Sequence, residues 1–148
     1  MRRSKSLRAV PAISRIWLRA SRPTSASKRT SGASGLPGRA GSTAAAAGSA
    51  TIVNNEFGLV EFNDRSSAAN STIVNNYDLN FFNRSTAGNA FITTNDIGIT
   101  SFFDRSDGGN ARFVTAAGGI VDFSGTDGPN NDGKVNAGSI AGAGEYFL

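Results

Sequence analysis

Four copies of one short unit follow each other between residues 44 and 126, and this internal repeat constrains the fold more than any other feature. Large apolar residues recur at Ile52, Ile73, Ile92 and Phe113, and phenylalanines recur at Phe62, Phe81, Phe102 and Phe123. The equivalent positions Arg65, Arg84, Arg105 and Thr126 lie 19, 21 and 21 residues apart. A unit this short cannot bury its own apolar face, so the copies are expected to stack on one another.

Apolar and polar residues alternate within each unit, which indicates β-strands. Val60 and Phe62 alternate with Glu61, so Glu61 is predicted on the outer face, as is Asp122 in the fourth copy. Stacked copies would pair equivalent strands in parallel, about 4.8 Å apart, and would place like residues in interior columns. The sequence therefore predicts an all-β protein with a parallel β-helix of about four to five coils.

Charge divides the chain into two unlike segments. Residues 1–41 hold ten basic and no acidic residues, whereas residues 42–148 hold five basic and eleven acidic residues. The first segment has few apolar side chains to offset the entropic cost of ordering, so we expect a disordered basic leader. It is also compatible with a mis-started or out-of-frame stretch. The second segment is predicted to hold the β-helix repeats.

The composition excludes several kinds of chemistry. The chain has no cysteine and no histidine, so it lacks a thiol nucleophile, an imidazole base and the usual ligands of zinc or haem. The segment DGPNNDG at residues 127–133 lacks the spacing of an EF-hand calcium loop. No apolar run is long enough to span a bilayer as a helix. We expect no catalytic activity, no cofactor and no nucleic-acid partner.

The repeat text resembles a known family of surface proteins. FNDRSSAANSTIVNN (62–76), STAGNAFITTN (85–95) and GGNARFVTAAGGIVDFSG (108–125) are similar to repeats in the passenger regions of bacterial autotransporter proteins. This resemblance covers residues 42–148. It implies a right-handed, pectin-lyase-like β-helix and a structural or adhesive role at the cell surface or outer membrane, or in secreted form. Host-surface molecules or polysaccharides would be its partners.

Members of that family are exported by a signal peptide and a C-terminal barrel translocator. Neither is recognisable in this chain, and the sequence stops in what reads as the middle of a coil. We therefore expect a fragment, truncated at its C-terminus, of a longer product that would contain the barrel. A truncated open reading frame with no independent function is the competing interpretation.

One corner of the predicted coils carries the candidate ligand-contact residues, which are Asp64, Arg65, Asn83, Arg84, Asp104 and Arg105. Clustered acidic and basic groups could bind or cleave an acidic polysaccharide, which is the alternative function. A solvated charge ladder is the simpler interpretation, because exposed pairs of this kind contribute about 0–1 kcal/mol each. Phe82 and Phe103 follow the inward phenylalanines and are expected to point outward, where they could contact a sugar ring or pack under a loop.

Overall fold

Eleven β-strands and no helix make up the part of the chain that the structure describes. The structure is a computed structural model, and it describes residues 44–148 and, for the backbone alone, residues 15–18. The strands are β1 (Arg15–Leu18), β2 (Thr51–Asn54), β3 (Leu59–Phe62), β4 (Thr72–Asn75), β5 (Asp78–Phe81), β6 (Phe91–Thr94), β7 (Ile99–Asp104), β8 (Arg112–Thr115), β9 (Ile120–Thr126), β10 (Ser139–Gly142) and β11 (Glu145–Phe147).

The strands form two parallel sheets whose members come from successive coils. The six-stranded sheet has the order β1-β3-β5-β7-β9-β11, and the five-stranded sheet has the order β10-β8-β6-β4-β2. Isolated parallel bridges on a third side link Ala46 to Ser67, Ser67 to Thr86, and Thr86 to Asp107. The described residues thus form a parallel β-helix of about 5 coils, which confirms the predicted architecture.

Like residues stack in columns inside the β-helix, as the repeat predicts. Phe62, Phe81 and Phe102 are fully buried, and Phe123 is 3% exposed. Their rings lie nearly parallel, with centroids 4.9, 4.6 and 4.7 Å apart along the column. The second predicted column is equally regular, because the strand registers pair Ile52 with Ile73, Ile73 with Ile92, and Ile92 with Phe113. Burial of these large side chains is the main source of stability.

A polar column runs beside the apolar ones. Asn54, Asn75, Thr94 and Thr115 pair in register and are at most 3% exposed. Buried polar groups must be hydrogen-bonded to avoid a desolvation cost. Asn75 Nδ2 meets this need by donating to the carbonyl of Ile99 at 2.9 Å, and Thr94 Oγ1 shares a hydrogen bond of 2.8 Å with Thr100 Oγ1.

Four residues of the leader are among those that the structure describes. Arg15–Leu18, within the segment predicted to be disordered, forms β1 and pairs in parallel with β3 from Arg15 opposite Leu59 to Leu18 opposite Phe62. The edge of β3 offers unpaired backbone groups, and Ile16 and Trp17 belong to residue types that favour strands. The disorder expected of the leader stays a prediction. The rest of the leader lies outside the described residues.

Glu61 alternates with the interior Val60 and Phe62 and pairs in register with Asn80, and it is 9% exposed. One detail of the six-stranded sheet differs from the sequence prediction. In β9 the register shifts between Asp122 and Gly125, so that Thr126 lies opposite Asp104 instead of Arg105. This shift is a β-bulge, in which one extra residue on one strand locally bends the ladder.

Candidate functional site

The predicted ligand-contact residues lie together at one corner of three successive coils, where the six-stranded sheet ends. We call this set the corner surface; it comprises Asp64, Arg65, Phe82, Asn83, Arg84, Phe103, Asp104 and Arg105. Within it, Asp64, Asn83 and Asp104 have positive φ angles of 59°, 57° and 58°. Short polar residues adopt this left-handed conformation more easily than other non-glycine residues. The recurring Asp or Asn is thus explained by backbone geometry.

The Asn and Asp side chains of this corner bond to the backbone of the preceding coil. Asn83 Oδ1 accepts a hydrogen bond from the amide of Asp64 at 3.1 Å, and Asp104 Oδ2 accepts one from the amide of Asn83 at 2.9 Å. Asp104 Oδ2 also accepts from Asn83 Nδ2 at 3.3 Å. These side chains therefore link successive coils, a structural task that the repeat pattern alone does not reveal.

The arginines of the corner surface lie on the outside. Arg65 and Arg84 are exposed and Arg105 is half-buried. Their backbone amides continue the ladder, since Arg84 donates to the carbonyl of Asp64 and Arg105 to that of Asn83, both at 2.8 Å. The Arg105 side chain donates from Nε to Asn131 Oδ1 at 3.1 Å. The guanidinium groups of Arg65 and Arg84 therefore face solvent, where they are accessible to an anionic ligand.

Phe82 and Phe103 form a stacked pair beside the corner. Their ring centroids are 4.9 Å apart with an interplanar angle of 11°, and both residues are half-buried. Gly125 lies against the second ring, because a Cβ atom added at this glycine would be 2.8 Å from Phe103 Cδ1. Stacking turns one face of each ring toward the other. The ring faces that meet in the stack are therefore closed to a ligand such as a sugar ring.

Asp78 lies at the opposite end of β5 from the corner surface. Burial raises the pKa of the Asp78 carboxyl above its ordinary value. Its backbone carbonyl accepts a hydrogen bond of 2.8 Å from Asn54 Nδ2, which fixes this end of β5 against the polar column. Because Asp78 is remote from the corner surface, its shifted pKa bears on stability.

No group of three or more Asp or Glu side chains in residues 44–148 is arranged to hold a metal ion. Likewise, the structure described here contains no helix of the length and apolar character needed to cross a bilayer.

Sequence reasoning missed a cleft at the C-terminal end of the helix. It has a volume of about 690 Å³ and is lined by Phe123, Ser124, Thr126, Gly133, Lys134, Val135, Asn136 and Leu148. The signal that could have revealed it is the break in the repeat after Thr126, where residues 127–138 separate β9 from β10.

Comparison with known proteins gives no match to this chain. No protein-family model matches the chain, and neither curated protein sequences nor solved structures give a match.

Proposed function

We propose that residues 44–148 serve as a structural or adhesive rod in an exported surface protein of the autotransporter type, without catalytic activity. The observation that carries this proposal is the continuous stacking of like residues through four coils, from Phe62 to Phe123. Such stacking makes a stiff rod that lengthens by the addition of coils, and its outer surface repeats with every coil. The resemblance of the repeat text to autotransporter passenger regions supports the same role.

The outer face of the five-stranded sheet suits contact with a partner. The register aligns Thr51, Thr72, Phe91 and Arg112, and all of these residues are exposed. Arg112 lies over the ring of Phe91, with its guanidinium carbon 5.5 Å from the ring centroid. A flat face of this kind gains affinity by repeating modest contacts along its length.

Acidic polysaccharide is the ligand class that the corner surface favours. The exposed Arg65 and Arg84 stack on neighbouring coils and could contact successive anionic groups of a polymer. Catalysis at this corner has weaker support, because Asp104 and Asn83 already use their side-chain oxygens to bind backbone amides. Asn83 carries an amide, which does not exchange a proton as an acid or base, and Oδ2 of Asp104 holds the neighbouring coil, so the two residues do not make an acid–base pair.

Retention of polysaccharides on the immobilised 148-residue chain tests the adhesive role. Acidic and neutral polysaccharides should differ, with the acidic ones retained and then released as salt is raised. Arg84→Ala should weaken retention by the corner surface. Arg112→Ala leaves the corner surface intact and removes the exposed cation of the five-stranded sheet, so the pair of variants tells which of the two surfaces binds. Failure to retain any polysaccharide or host-surface protein would contradict an adhesive function.

The same samples separate adhesion from catalysis. The rod proposal predicts that the polysaccharide keeps its chain length during prolonged incubation. Shortening that is abolished by Asp104→Ala, in a variant that remains folded by circular dichroism, would establish an enzyme instead. Export is tested independently by reading the flanking DNA in all frames for an in-frame signal peptide and barrel.

A further inference from the structure

The turns that lead from the five-stranded sheet into the six-stranded sheet have two lengths. In the first coil Leu59 follows Asn54 by five positions, and the turns of the third and fourth coils have the same length. In the second coil, Asp78 follows Asn75, the register partner of Asn54, by only three positions. The short second turn therefore lies between two longer ones. Departures from an otherwise regular pattern are where functional sites are expected.

The two longer turns on either side carry exposed apolar residues at the same place. Phe57 and Ile97 are 44% and 53% exposed and have positive φ angles of 63° and 58°. Gly118 occupies the equivalent place in the fourth coil. This left-handed conformation is unfavourable for a bulky or β-branched residue, and backbone strain of this kind clusters at ligand-binding sites. Because the two side chains bury little surface, packing of the fold does not account for them.

The short turn forms the floor of a notch between its longer neighbours. Two strand spacings, about 9–10 Å, separate the backbones of the longer turns. The floor is bonded to both adjacent coils, since the amide of Asp78 donates to the carbonyl of Gly58 at 3.3 Å and the carbonyl of Tyr77 accepts from the first amide of β7 at 2.7 Å. We call the space bounded by Phe57, Tyr77, Asp78 and Ile97 the turn notch. Its floor is held in place before any ligand binds.

The turn notch combines aromatic surface with a carboxylate. The rings of Phe57 and Tyr77 are tilted by 51°, with centroids 5.5 Å apart, so neither ring covers the face of the other as parallel stacking would. Asp78 alternates with a buried leucine in β5, which directs its side chain outward, between Leu59 and Ile99 of the adjacent strands. Burial raises the pKa of the Asp78 carboxyl. The ionised carboxylate is therefore poorly hydrated and gains from a cation beside it.

The charges around the turn notch are negative in the part of the chain that the structure describes. Glu56 and Asp96 are exposed and directly precede Phe57 and Ile97. The five basic residues within 44–148 lie elsewhere, three on the corner surface at the other end of the six-stranded sheet, one at the start of β8 and one between β9 and β10. Ring faces and carboxylates both attract positive charge, so the notch suits a cation.

We propose that the turn notch binds a small quaternary ammonium cation. Its methyl groups contact Phe57 and Tyr77, Ile97 closes the opposite side, and its charge lies near the Asp78 carboxylate. A quaternary group fits better than a primary ammonium group, because it has no N–H donors to satisfy against apolar walls. A free cation fits better than a phosphocholine head group, whose phosphate would be repelled by the carboxylates beside the notch. The site is separate from the corner surface and does not depend on the proposed adhesive role.

Titration of the isotope-labelled 148-residue chain with choline, followed by backbone amide chemical shifts, tests this proposal. Shifts should be concentrated at the three turns, in residues 55–59, 76–79 and 95–99, and should saturate at about millimolar concentrations. Neohexyl alcohol keeps the shape of choline without its charge, and ethanolamine keeps the charge without the methyl groups. Both should bind more weakly than choline. Phosphocholine and phosphatidylcholine vesicles should also bind more weakly, and tighter binding to either would overturn the assignment to a free cation.

Phe57→Leu should weaken choline binding by about two- to fivefold, because it removes the ring and keeps an apolar side chain. Asp78→Asn should also weaken binding, since it removes the charge with little change in size. Phe91→Leu, the same change at an exposed phenylalanine of the five-stranded sheet, should leave binding unaltered. Circular dichroism checks that each variant is folded.

Three results would overturn the proposal. Choline could cause no localised shifts at the three turns. Neohexyl alcohol or ethanolamine could bind as tightly as choline, which would exclude a site for quaternary ammonium groups. Folded Phe57→Leu or Asp78→Asn could bind choline as tightly as the wild type, which would place the cation elsewhere.

Discussion

Nδ2 of Asn54 donates a hydrogen bond of 2.8 Å to Oδ1 of Asn75, inside the stack and across two successive coils. The same two atoms take part in further bonds. Asn54 Nδ2 also donates to the carbonyl of Asp78 at 2.8 Å, and Asn75 Oδ1 also accepts from the amide of Tyr77 at 3.3 Å. The polar column therefore joins the strands of one sheet to the turns that lead into the other.

Replacing Asn75 by alanine should lower the free energy of unfolding by about 1–3 kcal/mol, because buried groups on neighbouring coils lose their partner. The measurement is urea denaturation followed by circular dichroism. Asn55→Ala is the matched control at an exposed position and should change stability by no more than about 0.5 kcal/mol. Equal effects of the two substitutions would show that the polar column does not stabilise the fold.

Phe81→Ala should be among the most damaging single changes, with a loss of about 3–5 kcal/mol. The side chain is fully buried between the rings of Phe62 and Phe102, so truncation leaves a cavity on both sides. Phe91→Ala removes a ring that is 38% exposed and should cost much less. Denaturation midpoints of the two variants provide the comparison, and a reversed order would contradict the interior column.

Ile97→Gly should raise stability by about 0.5–1 kcal/mol. Ile97 has a φ of 58° and is 53% exposed, so a β-branched residue occupies a strained conformation and buries little surface. The fourth coil has Gly118, with a φ of 85°, at the equivalent turn position. The relief of strain should exceed the entropic cost of glycine in the unfolded chain.

The matched control for that change is Ile99→Gly, two residues further along in β7. A strand position does not need a positive φ, so glycine there should destabilise the protein. Thermal unfolding of both variants distinguishes relief of strain from a general effect of glycine. Destabilisation by Ile97→Gly would count against strain at this turn.

Stability should fall with rising pH through the titration of Asp78. Burial raises the pKa of this carboxyl, so the folded protein binds the proton more tightly than the unfolded chain does. The contribution is therefore most favourable below the ordinary carboxyl pKa of about 4 and is lost as the pH rises through the higher folded value. Asp78→Asn should remove this part of the pH dependence.

Urea denaturation of the wild type and of Asp78→Asn across the acidic range measures the difference. The wild type should lose stability relative to the variant as the pH increases from about 4. Asp96→Asn, the same change at an exposed aspartate, serves as the control. A difference that grows in the opposite direction would contradict the assigned shift.

The sequence repeat predicted the features that recur in every coil. Alternation and spacing placed Phe62 and Ile73 inside, and they also placed the corner residues Asn83 and Asp104 in one column. What they could not specify is where a regular pattern is overridden by contacts distant in sequence. The pairing of β1 with β3 depends on an open edge that exists only after folding, and no local pattern encodes it.

The cleft and the corner bonds were hidden for different physical reasons. An inserted segment has no repeat partner to align with, so the bond between Asp107 and Asn136 has no precedent in the earlier coils. At the corner, Asp104 reads as a charged surface residue in the sequence. Its left-handed backbone and its bond to the amide of Asn83 become visible only when the coils are stacked.

The interior polar column also distinguishes coils whose sequences are otherwise nearly identical. Segments this alike could pair out of sequence during folding, since each apolar column accepts almost any copy. The column changes chemistry along the axis, from amide against amide at Asn54 and Asn75 to Thr115 Oγ1 donating to Tyr146 Oη at 2.8 Å. A coil inserted at the wrong level would place a buried amide opposite a hydroxyl at an unsuitable distance for a hydrogen bond. The buried amides and hydroxyls thus favour the pairing of each coil with its correct neighbours.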